Sequence, residues 1–121
     1  MQYDWLSDYC TGKPAAIKDY KPEWGAFRYM VHDKMFLMEG ADKAGEPIIS
    51  VKLEPLRGEF LRAQYKGSII PGYYMNKVHW NSIYKSSELP EALVREMIDE
   101  SYMLIVQGLP KKLQKELFEQ A

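Results

Sequence analysis

Residues 48–55 of the chain, IISVKLEP, contain the change of pattern that decides the fold class. Apolar and polar side chains alternate in the first six positions, which predicts a strand whose positions 49, 51 and 53 share one apolar face. Ser50 and Lys52 share the opposite face, so the sheet is predicted to have a polar side. Pro55 then suits the first turn of a helix, because the missing N–H has no intrahelical partner to lose there. A strand followed at once by a helix favours a sheet that packs on helices.

The regions on either side add further strands and a long helix. Residues 27–38 contain two β-prone runs separated only by His32-Asp33, and they predict a hairpin. Residues 80–84 predict another strand. In residues 90–108 apolar side chains recur at helical spacing and a glycine ends the pattern, which predicts a long amphipathic helix.

The rest of the chain is predicted to form short helices and loops. We expect short helices at residues 5–10, 54–61 and 111–117. The second of these is expected to place Leu56, Phe60 and Leu61 on its apolar side. Residues 13–25 and 39–46 contain glycine, proline and charged residues, which predicts two loops, the first with Trp24 filling the edge of the core.

Length and composition indicate one folded domain of ordinary size. The chain has 121 residues, of which 46% are hydrophobic and 27% charged, values typical of globular proteins rather than disordered or coiled-coil ones. We therefore predict a single α+β domain over residues 1–121, with an antiparallel sheet of about four or more strands packed on helices.

The sequence also predicts where in the cell the protein is located. The longest aliphatic and aromatic run, residues 102–106, falls far short of the ~20 residues that cross a bilayer, so no membrane association is predicted. Met1–Asp4 is acidic and no apolar stretch follows it, so no secretory signal is predicted. A cytoplasmic location is expected.

Residues for metal or nucleotide chemistry are sparse. Cys10 is the only cysteine, His32 and His79 lie far apart, and the phosphate-binding pattern GxxxxGK[ST] is absent. No metal site, cofactor or catalytic residue is predicted. The sequence therefore favours a binding protein over an enzyme.

Positive charge is concentrated in the middle of the chain. The net charge is −1, yet residues 60–87 contain four Lys/Arg and no Asp or Glu, whereas both flanking regions are acidic. Six aromatic residues and His79 are interleaved with these cations. Cations can neutralise phosphates and aromatic rings can stack on bases, so this segment is a candidate nucleic-acid surface. Burial of the same rings in a core is the alternative.

The densest part of that segment is residues 71–81, PGYYMNKVHWN. Pro-Gly favours a turn that presents the following side chains outward. Asn76, Lys77 and His79 then offer an amide, a cation and a titratable donor within four positions. A polar loop that merely caps the sheet explains the same residue types, and this alternative remains open.

These strings resemble the MmcQ/YjbR family of small bacterial proteins, formerly a domain of unknown function. The resemblance is strongest over residues 71–113, where PGYYMNKVHWN and LPEALVREMIDESYMLIVQGLPKKL are similar to PGYHMNKxHWN and LPxxxLxxxIxxSYxLVxxxLPKK of the family. KMFLM at residues 34–38 and VKLEP at residues 51–55 match more loosely. Tyr74 stands where the family string has histidine, and Leu53 stands where it has cysteine.

The resemblance implies a single α+β domain of the CyaY-like or double-wing kind and a DNA-binding role without enzymatic activity. In this hypothesis basic side chains neutralise phosphates, an amide and an imidazole form hydrogen bonds, and a tyrosine ring stacks on a base, with little sequence specificity. The alternative partner is a small anionic ligand or a protein. The predicted nucleic-acid or anion-binding residues are Lys77, His79, Asn76, Tyr73, Tyr74, Lys52 and Arg28.

Overall fold

The computed structural model describes residues 3–119, which form four helices and a six-stranded sheet. The elements, in chain order, are α1 (Leu6–Thr11), β1 (Ala16–Lys21), β2 (Ala26–Val31), β3 (Lys34–Ala41), β4 (Pro47–Lys52), α2 (Pro55–Gln64), β5 (Ile69–Pro71), β6 (Trp80–Tyr84), α3 (Glu91–Gln107) and α4 (Lys111–Glu119). The strand order is β1-β2-β3-β4-β6-β5, and each neighbouring pair is antiparallel. The predicted α+β class with an antiparallel sheet is confirmed.

One hydrophobic core lies between the helices and one face of the sheet. On the sheet side, Ile49 and Val51 of β4 are fully buried, as the alternation in that strand predicts. Each helix contributes at least one buried residue to the same cluster; examples are Leu6, Leu61, Met97 and Leu117. All four helices therefore cover the same face of the sheet.

The predicted hairpin is formed by β2 and β3. His32 and Asp33 have φ values of 45° and 64°, so both central residues of the turn are left-handed, as a two-residue turn between twisted strands requires. His32 is exposed at this turn.

A β-bulge near the end of this hairpin places two successive side chains in the core. The register steps from Tyr29 opposite Leu37 to Met30 opposite Met35, so residue 36 has no opposite partner. Phe36 and Leu37 are consequently both fully buried in the core cluster.

Two strands at the sheet edges were missed by the sequence analysis. Residues 13–25 were predicted to be a loop, but residues 16–21 form β1, which pairs with β2 along its whole length. Ile17 and Tyr20 remain exposed on this edge strand, so burial imposes no clear alternation on its sequence. At the opposite edge, the three-residue β5 pairs with β6, and the predicted 39–46 loop is shortened because β3 continues to residue 41.

Two predictions about apolar side chains are wrong. Trp24 is 50% exposed and does not fill the core edge. On α2, Leu56 and Phe60 are 80% and 59% exposed, and only Leu61 of the three reaches the core. The physical reason is that α2 packs against the edge strand β5, so one side of the helix extends beyond the sheet.

Among residues 3–119, no helix combines the length and the apolar character needed to span a bilayer.

Candidate ligand-binding site

Residues 72–79, here called the covering loop, cross the face of the sheet that the helices leave open. The register places Met38, Ser50 and Ser82 side by side across β3, β4 and β6. The hydroxyl oxygens of Ser50 and Ser82 lie 2.7 Å apart, and the backbone N–H of Tyr73 donates to the hydroxyl of Ser82 at 3.0 Å. Both serines are fully buried. The polar face that the sequence predicts is therefore covered at Ser50 rather than open to solvent.

The covering loop is held by hydrogen bonds within it and to Trp80, the first residue of β6. The N–H of Gly72 donates to the carbonyl of Trp80 at 2.7 Å, and the N–H of Trp80 donates to the carbonyl of Asn76 at 2.9 Å. The Asn76 side-chain oxygen accepts from the N–H of Val78 at 2.9 Å. A Cβ at position 72 would lie 2.6 Å from the Cβ of Trp80, so only glycine permits this close approach.

Two tyrosines at the start of the loop have opposite roles. The Tyr73 hydroxyl accepts a hydrogen bond from the N–H of Lys43 at 3.1 Å, which ties the loop to the turn after β3. Tyr74 is 63% exposed, and its ring meets that of Tyr73 edge-on with centroids 4.4 Å apart. Its φ of 67° is unfavourable for a non-glycine residue by about 1–2 kcal/mol. The fold thus holds the Tyr74 ring outward at an energetic cost.

A pocket of about 470 Å³ opens beside Tyr74. Its lining residues are Glu23, Trp24, Ala26, Met38, Gly40, Ala41, Tyr74 and Met75. The base of the pocket is built from small residues: Ala26 and Gly40 are neighbours on β2 and β3, and a Cβ on Gly40 would lie only 3.1 Å from the Cβ of Ala26. A glycine inside a strand commonly marks a place where another group approaches the backbone closely.

The charges around the pocket are paired. The Glu23 carboxylate lies 3.4 Å from Lys21 Nζ, and a hydrogen bond from its own backbone together with this lysine lowers the Glu23 pKa. Partial loss of hydration raises the pKa of the Tyr74 hydroxyl. At neutral pH the lining therefore carries one carboxylate and a neutral phenol, and no Lys or Arg side chain belongs to it.

Arg28, a predicted phosphate-binding residue, is already paired. Its Nε and Nη2 donate to Asp19 Oδ1 and Oδ2 at 2.9 and 2.6 Å across β1 and β2. This two-point hydrogen bond lowers the Asp19 pKa and raises that of Arg28. A phosphate would have to compete with a carboxylate in ideal geometry for this guanidinium.

Some of the remaining predicted binding residues form hydrogen bonds within the protein, and some have no carboxylate partner. The Asn76 side chain accepts a hydrogen bond within the covering loop, and the Tyr73 hydroxyl accepts one from Lys43 in the turn after β3. Lys77 Nζ donates to the carbonyl of Gly72 at 2.8 Å. Within residues 3–119, Lys52, Lys77 and His79 form no ion pair with a carboxylate. Lys52 lies opposite Trp80 in the β4–β6 register, so its side chain and the loop occupy the same sheet face.

Most of the pocket was missed by the sequence analysis. The lining comes from three separated segments, around Trp24, Met38 and Met75, and no sequence pattern connects the first two of these to Tyr74. The one available indication was Gly40 after a β-prone run, which was interpreted as part of a loop. Across the described range 3–119, no group of three or more His, Cys, Asp or Glu side chains is arranged to hold a metal ion.

Comparison with known proteins gives consistent similarities over most of the chain. Residues 11–104 match the family model described as YjbR. The chain is 40% identical over 96 residues to the uncharacterized protein YbdF of Escherichia coli O157:H7, covering 79% of this chain and 75% of that protein. It is 32% identical over 110 residues to the uncharacterized protein YjbR of Escherichia coli K12, covering 91% and 92%.

Solved structures show the same fold. A crystal structure of a Deinococcus radiodurans protein with the domain DUF419 superimposes with a TM-score of 0.85 at 28% identity, covering 96% of this chain and 87% of that one. A crystal structure of a Pseudomonas syringae protein superimposes with a TM-score of 0.69 at 25% identity, covering 86% and 98%.

Proposed function

Because the chain belongs to the YjbR family, whose relatives above are named as uncharacterized proteins, we propose a function from its own surface: a non-catalytic module that binds a small organic molecule in the pocket beside the covering loop. The observation that carries this proposal is the pairing of two exposed rings, Trp24 and Tyr74, with an unfilled space above a base of small residues. A volume of about 470 Å³ lies within the range of small-molecule sites.

The construction of the pocket supports binding rather than catalysis. General acid–base catalysis needs a group that gains and loses a proton near the working pH. The pKa of Glu23 is lowered and that of Tyr74 is raised, so both keep one protonation state around neutrality. These groups can orient a ligand, and neither is poised to transfer a proton.

The test is a fragment screen followed by amide NMR on the intact protein. A mixed library of aromatic, aliphatic, anionic and cationic fragments is titrated, and saturable shifts at the amides of Ala26, Gly40 and Ala41 report occupancy of the pocket. Ala26→Leu adds carbons to the base of the pocket, on the sheet face that Ala26 shares with Met38 and Gly40, and is expected to abolish the shifts at Gly40 and Ala41. Ala63→Leu, at an exposed position on α2, is the matched control and is expected to leave them unchanged. If no fragment produces saturable shifts at the pocket amides, the proposal is refuted.

A second function, weak binding to DNA with little sequence specificity, is favoured by one observation. Lys52 and Lys77 lie on the sheet face opposite to the helices, and neither has a carboxylate partner within residues 3–119. With Arg28 paired to Asp19, we expect contacts to about two phosphates and therefore a log–log salt dependence with a slope of about −2.

Fluorescence anisotropy with labelled single- and double-stranded DNA at low salt tests this function. The double substitution of Lys52 and Lys77 by alanine is expected to remove binding, whereas Lys111→Ala on the exposed surface of α4 is expected to retain it. Equal losses from both variants would indicate attraction to overall charge rather than to this face, and no binding at high micromolar protein would exclude the DNA function.

A further inference from the structure

The shape and charge of the pocket narrow the class of ligand. We propose that the pocket selects a neutral, flat aromatic or heteroaromatic molecule that stacks against Trp24 and Tyr74. This inference rests on the proposed function, because it assigns a ligand class to the same site. It is carried by three observations: the ordered backbone and ring contacts of the two aromatic residues, the cancellation of charge around them, and the small residues Ala26 and Gly40 at the base.

The backbone beneath both rings is ordered before any ligand arrives, and each ring contacts neighbouring side chains, Trp24 with Lys21 and Arg28 and Tyr74 with Tyr73. Trp24 lies in a tight turn in which its N–H donates to the carbonyl of Lys21 and the N–H of Gly25 donates to the carbonyl of Pro22, both at 3.1 Å. Gly25 has a φ of 60°, which completes this turn without strain. Tyr74 is held by the covering loop through its neighbour Tyr73. Rings that are already ordered lose little conformational entropy on binding.

The charges disfavour an ionic ligand of either sign. An anion would approach the Glu23 carboxylate, and no Lys or Arg lines the pocket to offset the repulsion. A cation would gain little from the Trp24 ring, because Lys21 Nζ at 5.2 Å and Arg28 Cζ at 5.8 Å from the ring centroid already place positive charge beside it. The ion pairs Lys21–Glu23 and Arg28–Asp19 leave no net charge around this ring.

The base and walls suit a flat molecule with an apolar edge. The side chain of Ala26 ends at Cβ and Gly40 has none, so a ring can lie close to the sheet. Met38 and Met75 add thioethers to the lining, and sulfur makes favourable contacts at the edges of aromatic rings. This lining differs from the anion-binding site that the sequence suggested as an alternative.

Four related probes separate these properties in amide NMR titrations of the full chain. Quinoline is neutral and flat, quinoline carboxylate is an anion, N-methylquinolinium is a cation, and cyclohexanemethanol is neutral and not flat. We expect quinoline to bind at least about tenfold more tightly than each of the other three. The expected shifts include the Trp24 indole N–H and the amides of Gly40 and Ala41.

Substitutions then assign the contacts. Trp24→Ala and Tyr74→Asn are each expected to weaken quinoline binding by about fivefold or more, because each removes one stacking ring. Asparagine tolerates the left-handed backbone at position 74, so the second variant keeps the loop conformation. Phe118→Ala removes an equally exposed ring on α4 and is expected to leave binding unchanged.

The outcomes distinguish the ligand class from the proposed function. Tighter binding of the carboxylate, the quinolinium or the alcohol at the pocket amides would overturn the neutral-aromatic assignment and leave the binding module intact. Quinoline shifts that are unaffected by both ring substitutions would overturn the stacking arrangement. Failure of all four probes also overturns the assignment, and only failure of the mixed fragment library as well refutes the binding module itself.

Discussion

Replacing Ser101 by alanine is expected to destabilise the fold more than any other loss of a single hydroxyl, because this side chain serves two backbone groups. Its hydroxyl donates to the carbonyl of Phe36 at 2.6 Å and accepts from the N–H of Lys52 at 2.8 Å, and the residue is fully buried on α3. Residue 36 is the extra residue of the β-bulge and has no opposite partner in β2. The serine therefore joins the helix layer to β3 and β4 where the sheet ladder is interrupted.

The magnitude follows from what the alanine variant leaves behind. A buried backbone group without a partner costs about 1–3 kcal/mol, so two such groups predict a loss of about 2–6 kcal/mol in the free energy of unfolding. For a domain of this size, that corresponds to a decrease in melting temperature of roughly 8–24 °C. The slope of the urea dependence should not change, since the native fold remains the same.

Urea denaturation followed by circular dichroism measures this loss. The matched control is Ser86→Ala, which removes a hydroxyl from an exposed position and is expected to change stability by less than about 0.5 kcal/mol. A similarly small loss for Ser101→Ala would contradict the reasoning. It would mean that the two backbone groups find other partners, and that the hydroxyl does not hold the bulge to α3.

Three further predictions concern the covering loop and the α1–α3 contact. Gly72→Ala places a Cβ 2.6 Å from that of Trp80 and should detach the loop, seen as accelerated amide exchange of residues 72–79, whereas exchange in the β2–β3 hairpin should be unchanged. Burial raises the pKa of Cys10 to about 12, so alkylation at about pH 8 should require unfolding; rapid native-state labelling would contradict this. Burial and the hydrogen bond to Asp99 raise the pKa of Tyr9 from 10.0 to about 12. The stability advantage of the wild type over Tyr9→Phe should therefore be fully present below about pH 10 and decline towards pH 12, and a pH-independent difference would contradict it.

The elements predicted correctly are those whose burial is regular along the sequence. α3 buries one face, and β4 directs the apolar side chains of Ile49 and Val51 into the core. These requirements impose a helical period on residues 91–107 and an alternation on residues 48–53. The hairpin turn is equally local, because both of its residues adopt positive φ. β1 and β5 pair with only one neighbour each at the sheet edges. Their residues therefore face less of the core, and the alternation of apolar and polar residues is weaker in them.

The geometry and charge of the candidate site depend on contacts between residues that are far apart in the sequence. The charge of Arg28 is a property of the sequence, but its pairing with Asp19 follows from the β1–β2 register. The position of Lys77 on a carbonyl of its own loop follows from the closure of that loop. Lys85, one of the four cations of the central segment, is likewise paired with Glu39 of β3, so counting cations along the sequence overestimates the charge available for phosphates.

The sequence by itself determined the α+β class, the β2–β3 hairpin and the long helix α3, because local periodicity and turn chemistry specify these elements, and the residue strings of 71–113 carried the family resemblance. Only the tertiary structure decided that the polar sheet face is covered, that Trp24 and Tyr74 lie at one pocket, and that Arg28 is paired. The physical reason is that these features depend on which strands become neighbours and in which register. Cross-strand contacts join residues that are far apart in the sequence, and no local sequence pattern indicates such a contact.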